Sequence, residues 1–261
     1  MTPARTSRRR VGAVAATCAV ALIALTWFVL RTPTGQRWDL QALVDVATCR
    51  SLSSGTLVLL GRVPIAVMAG LAVVVMLHAL VRRELRVAAG SAILVLGANL
   101  TTQLLKHEVL HRSDAGLGTL NSLPSGHTTM AASLAAAAVV AAPARVRHVA
   151  AGVGAAAVTV TGCTTLLGWW HRPSDVIAAV LVVVLWSAAV GAVLGARPAA
   201  RRQDVVFSVG GALVSVAAMI GSGARSVTSG DDLVAASAVL VLLAVVSAAG
   251  MAACCALARQ P

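Results

Sequence analysis

Four of the six histidines in this 261-residue chain, His107, His111, His127 and His171, sit among residues able to handle phosphate, protons or metal. The first group runs Lys106-His107-Glu108-Val109-Leu110-His111-Arg112-Ser113-Asp114. Lys106 is the one lysine beside 20 arginines. On a helix it would share a face with Gln103 and Asn99, because residues three and four apart are neighbours. A polar stripe ending in a cation suits an anionic ligand. The second group is Asn121-Ser122-Leu123-Pro124-Ser125-Gly126-His127. Pro at the first helical position pre-sets the turn, and Gly lets backbone approach a ligand closely. The exposed N–H groups of a helix N-terminus then attract an anion. His127 would stand where a proton can be delivered to a bound phosphate ester. The third group is Gly168-Trp169-Trp170-His171-Arg172-Pro173-Ser174-Asp175. If Pro173 opens a helix, Asp175 lies in its first turn and reaches back to His171. A carboxylate bonded to one ring nitrogen fixes the tautomer and leaves the other nitrogen as a nucleophile. Singly, each group also reads as ordinary interfacial chemistry: snorkelling cations, a helix cap, a carboxylate favoured by a helix dipole.

The elements that must position these groups are apolar helices. The chain is 58% hydrophobic and 11% charged, with mean hydropathy +0.88. A soluble domain carries about 25% charge, so a water-soluble globular enzyme is excluded. A membrane-spanning helix needs ~20 mostly apolar residues. Runs that meet or approach this are 11–30, 56–80, 87–105, 128–142, 149–168, 176–196, 205–222 and 233–257. The expected fold is an all-α polytopic bundle. Residues 1–10 form a basic tail, 11–196 a six-helix core, and 197–261 two additional transmembrane helices with a short tail. No small-residue cleavage site follows the first run, which reads as an uncleaved anchor. The stretch 33–55 fits either a short interfacial helix or an irregular loop. The five cysteines show no paired metal-ligand spacing and imply no disulfide framework.

Orientation follows from the arginines. With the N-terminus inside, the inner segments hold 13 Arg against Glu84 and Asp204, while the outer segments hold seven cations and seven acids. The +12 net charge is therefore mostly membrane topology, and nucleic-acid binding loses its support. All three reactive groups fall on the outer face of a multi-pass cell-membrane protein with a cytoplasmic N-terminus.

Together these residues resemble the type 2 phosphatidic acid phosphatases, the lipid phosphate phosphatase superfamily that shares a fold core with vanadium haloperoxidases. The family pattern is Lys, six residues, Arg-Pro; then Pro-Ser-Gly-His; then Ser-Arg, five residues, His, three residues, Asp. Pro124-Ser125-Gly126-His127 matches in full, and His171 with Asp175 matches in order and spacing. The likeness spans roughly residues 56–196, leaving 205–257 outside. Three positions depart from it. Five residues separate Lys106 from Arg112, Ser113 replaces the Pro, and Thr164-Thr165 replaces Ser-Arg. Arg172 or Arg62 is the candidate replacement for the missing cation.

The resemblance implies that Lys106, Arg112 and the Ser125–Gly126 amides hold the phosphoryl group, aided by Arg172. It implies that His171 attacks phosphorus to form a phosphohistidine, Asp175 holds its ring and His127 protonates the leaving oxygen. It implies no metal and no cofactor. The expected substrate is a membrane lipid phosphate or pyrophosphate, phosphatidic acid-like or polyprenyl-type, reached laterally from the bilayer. Two other readings stand beside it. His107-Glu108-Val109-Leu110-His111 matches the zinc-protease pattern of two histidines one turn apart with a Glu base. A non-catalytic protein that binds or transports a lipid phosphate would also use the outer cations.

Overall fold

A computed structural model describes residues 3–47, 83–114, 120–195, 201–223 and 230–258, with single positions at 70, 74, 77 and 81. Among the described residues there are eight helices and no strand. They are α1 (Pro3–Arg31), α2 (Pro33–Ala47), α3 (Leu85–Leu104), α4 (Gly126–Ala141), α5 (Arg147–Leu167), α6 (Pro173–Leu194), α7 (Arg202–Gly223) and α8 (Gly230–Leu257). Among the described residues, six stretches are long and apolar enough to cross a bilayer: Arg9–Arg31, Leu85–Val109, Arg147–Leu167, Pro173–Leu194, Arg202–Gly221 and Val234–Leu257. By its helices this is a multi-pass membrane protein. The expected span 56–80, and Arg62 within it, lie outside the described residues. The run at 128–142 becomes α4, whose 16 residues reach only about 24 Å.

Alternation of direction brings one set of helix ends together. The C-terminal ends of α1, α3 and α5 meet the N-terminal ends of α4 and α6, and the stretch 33–55 begins there with α2. Residues 33–47 of that stretch are a helix, and 48–55 lie outside the described residues. The buried positions of α2 are Gly35, Gln36, Asp39, Leu43, Val46 and Ala47, a helical stripe, while Arg37 and Trp38 face outward. Gly35 is required where α2 folds back on α1, because a Cβ there would strike the Phe28 carbonyl.

Small side chains set the packing. α3 packs on α4 and α6, and α4 on α5, with Ala132, Ala136, Ala151, Ala155 and Val158 in the common core. Without a hydrophobic driving force between helices in lipid, such residues permit the close contact that holds them. Polar pairs join the same interfaces: Asn99 donates to Ser133 Oγ at 3.1 Å, and the Thr102 and Thr129 hydroxyls lie 2.9 Å apart. α7 crosses α5 at Gly152 and Gly211, where a Cβ on Gly211 would overlap the Gly152 carbonyl. The last two helices are not an appendage. α8 packs against α2, α4, α5, α6 and α7, burying Leu240, Leu243, Met251, Cys254 and Leu257.

Candidate active site

α5 ends at Leu167, and Trp169 adopts the left-handed region (φ 59°). That reversal directs the Trp170 and His171 N–H groups to the Thr165 carbonyl, at 3.0 and 3.2 Å. His171 is thereby hooked beneath the end of α5, and Pro173 opens α6 as the sequence predicts. One turn into α6, Asp175 is fully buried and its Oδ2 lies 3.0 Å from His171 Nδ1. The same oxygen accepts from Ser122 Oγ at 2.6 Å and from the Arg172 N–H at 3.0 Å. With Nδ1–H held by the carboxylate, Nε2 is the ring atom left with a lone pair.

The Ser125-Gly126-His127 segment lies against this pair. Ser125 is the N-cap of α4, its Oγ accepting from Thr128 N–H at 3.3 Å. Pro124 stands outside the helix, joined to Leu123 by a cis peptide bond, rather than at the first helical position. The Ser125 amide is donated to the Asp175 carbonyl at 2.9 Å, which couples the second segment to the third. That bond removes Ser125 N–H from the pair of amides expected to face an anion. The next two amides, of Gly126 and His127, are first-turn groups for which the helix itself offers no acceptor. The His127 ring lies edge-on to His171, centroids 6.1 Å apart, and stacks on Trp170 at 5.6 Å.

Lys106 and Arg112 reach the site differently. α3 continues into a π-helical turn, Leu105–Val109, a form often found at functional positions. Lys106 is half-buried there, close enough to Asp175 and His127 to interact electrostatically with both. Gln103 lies near Gly126, whereas Asn99 joins α3 to α4, so the expected polar stripe divides between site and interface. Asn121 fixes the loop that follows, donating to the Lys106 and Leu110 carbonyls at 3.2 and 2.8 Å. Arg112 is buried and donates through Nη1 to the Val29 carbonyl at the end of α1, at 3.2 Å. A helix C-terminus favours a cation.

Arg112 Nε and Nη2, and Arg172 Nη1, are buried with no hydrogen-bond partner among the described residues. Burial, then the neighbouring Arg172, push the Arg112 pKa below its usual value, and Asp39 and Asp175 oppose this. Unpartnered guanidinium donors of two arginines therefore lie close to one another, the chemistry that suits an anion. Arg172 brings a second guanidinium near Arg112, while Arg62, the other candidate, lies outside the described residues. Thr165 itself turns inward, its hydroxyl donating to Gly162 O at 2.7 Å.

The zinc-protease arrangement does not form. Leu110 is extended (φ −98°, ψ 120°), so His107 and His111 do not share one helical face. His107, Glu108 and His111 are all exposed, and no three His, Cys, Asp or Glu residues cluster among those described.

Three contributors escape the motif reading. Ser122 holds Asp175. Gln36, on α2, donates to Ser113 O at 2.8 Å and to Leu30 O at 3.0 Å. Asp39, one turn further, accepts from Ser174 N–H at 3.0 Å and from Ser174 Oγ at 2.7 Å. Burial, then the Asp175 carboxylate, push its pKa up to about 6, against the opposing pull of the Ser174 bonds and Arg172. A polar pair on the stripe shared with Leu43 and Val46 is the signal that points inward.

Residues 93–198 match the family model described as the PAP2 superfamily. No curated protein and no solved structure matches the chain. The chain is therefore a multi-pass membrane protein carrying a PAP2 superfamily domain over those residues. The matched segment contains all three reactive groups and excludes α1, α2, α7 and α8.

Proposed function

We propose that this protein is an integral-membrane phosphatase acting on a lipid phosphate or pyrophosphate, with its site on the outer side of the membrane. The observation that carries the reading is the His171–Asp175 pair beside the unpartnered donors of Arg112 and Arg172. Phosphoryl transfer asks mainly for positioning and for compensation of oxygen charge. Lys106, Arg112, Arg172 and the Gly126 amide supply the compensation. His171 Nε2 attacks phosphorus, the bond to the leaving oxygen breaks, and His127 donates the proton that oxygen takes. A water molecule then gives its proton to His127 and attacks the phosphohistidine. The P–N bond breaks and phosphate leaves. The scheme needs only these side chains, the Gly126 amide and water. The apolar, span-length helices α3, α5 and α6 around the site favour an amphiphilic substrate whose tails stay in lipid.

The absent arginine at Thr165 favours one competing reading, a protein that binds the headgroup without turnover. The deciding experiment is phosphate release from a panel of phosphatidic acid, phosphatidylglycerol phosphate and polyprenyl phosphates and pyrophosphates, with and without EDTA. Release that survives EDTA, is lost in His171→Ala, and leaves a trapped phosphohistidine in wild type supports hydrolysis. Full turnover by His171→Ala would sink the mechanism. Phosphate binding without release would establish the competing reading.

A further inference from the structure

We infer that Asp39 of α2 is a positioning residue for the His171–Asp175 pair, acting through Ser174 from outside the segment that carries the motifs. The inference rests on the hydrolytic reading above. Ser174 is the residue between the helix-opening Pro173 and Asp175, and both of its donors end on one carboxylate. Pro173 has no N–H, so Asp39 takes the first backbone donor that α6 offers. A carboxylate at this place satisfies the helix end and complements its dipole. The result fixes the α6 terminus from which Asp175 reaches back to His171.

The same helix secures the other side of the site. Gln36 precedes Asp39 by three residues, on the same buried face, and binds the Ser113 carbonyl beside Arg112. One face of α2 therefore holds the first reactive segment with Gln36 and the third with Asp39. The charged groups facing Asp39 are Asp175 and Arg172 from the α6 start and Arg112 from the loop after α3. Asp39 contributes no atom to the reacting phosphate. Its effect falls on the geometry of groups that do.

The test compares Asp39→Ala, Asp39→Asn and Ser174→Ala in full-length protein, reading kcat and KM for lipid phosphate and the hydrogen exchange of the amides within 171–176, Pro173 having none. Asn keeps both contacts, its oxygen accepting from the Ser174 N–H and its amide donating to Ser174 Oγ. The expected result is a kcat loss of about 10- to 100-fold in Asp39→Ala, with KM near the wild-type value. Asp39→Asn recovers most of that loss, and exchange at 171–176 quickens in the Ala variant alone. Unchanged kcat in Asp39→Ala, or an Asn variant as impaired as Ala, overturns the inference. If the wild-type protein hydrolyses no lipid phosphate, the hydrolytic reading fails separately. Exchange at 171–176 and binding of inorganic phosphate then decide: faster exchange and weaker binding in Asp39→Ala sustain the positioning role, and unchanged values overturn it.

Discussion

Like charges held near one another away from water are costly unless an anion joins them, and Arg112 is buried and Arg172 half-buried, each with an unpartnered donor. Removing either guanidinium should weaken phosphate binding about 10- to 100-fold, measured by calorimetry with inorganic phosphate. Thr165→Ala should leave turnover unchanged, since that hydroxyl serves only its own helix in the contacts described. Ser122→Ala should lower kcat by loosening Asp175, while His171→Ala abolishes it. Asp39 adds a pH effect. Its folded pKa, about 6, exceeds the ordinary 3.8, so the folded protein binds this proton more tightly than the unfolded chain. The group's contribution to stability is then present below about pH 4 and is lost as pH rises through 6. Asp39→Asn should accordingly gain in melting temperature relative to wild type as pH rises from 4 to 7. A constant difference across that range would contradict the burial. At this scale the sequence exposed what spacing can encode: Pro-Ser-Gly-His and the His171–Asp175 step. It hid Asp39 and Ser122, because their partners lie 135 and 53 positions away along the chain.

Helices carry these side chains to one end of the bundle, and their legibility follows their chemistry. Long apolar runs announced α1, α3, α5, α6, α7 and α8, since burial in lipid constrains composition over whole turns. α2 was ambiguous because only its inner stripe is buried, and the stripe mixes Gln36 and Asp39 with Leu43 and Val46. The start of α4 falls later than expected: Pro124, expected at the first helical position, precedes the Ser125 cap whose Oγ accepts from Thr128 N–H. The crossing of α5 and α7 offers a test away from the site. Gly211→Leu inserts a side chain where backbone now meets backbone, and overpacking of that kind costs about 1–3 kcal/mol. Thermal unfolding in detergent should show the loss, whereas Gly210→Leu, where a Cβ meets nothing, should not.

At the scale of the whole molecule, the last two helices pack onto the motif-bearing core. The motif-bearing segment is flanked by α1 and α2 from one terminus and by α8 from the other, and α8 touches five of the remaining helices. Composition revealed the solvent of this bundle but was silent on which helices become neighbours, since Ala and Val faces of equal apolarity do not distinguish partners. The Arg112 contact with the Val29 carbonyl gives that packing a thermodynamic consequence. In the proposed function, Arg112 holds an anion well only while α1 and the turn into α2 are docked around it. Docking and anion occupancy are then linked, and linkage is reciprocal. A phosphate that binds more tightly to the docked form must strengthen docking by the same factor, so an occupant of the proposed site would act as a clasp on α1 and α2.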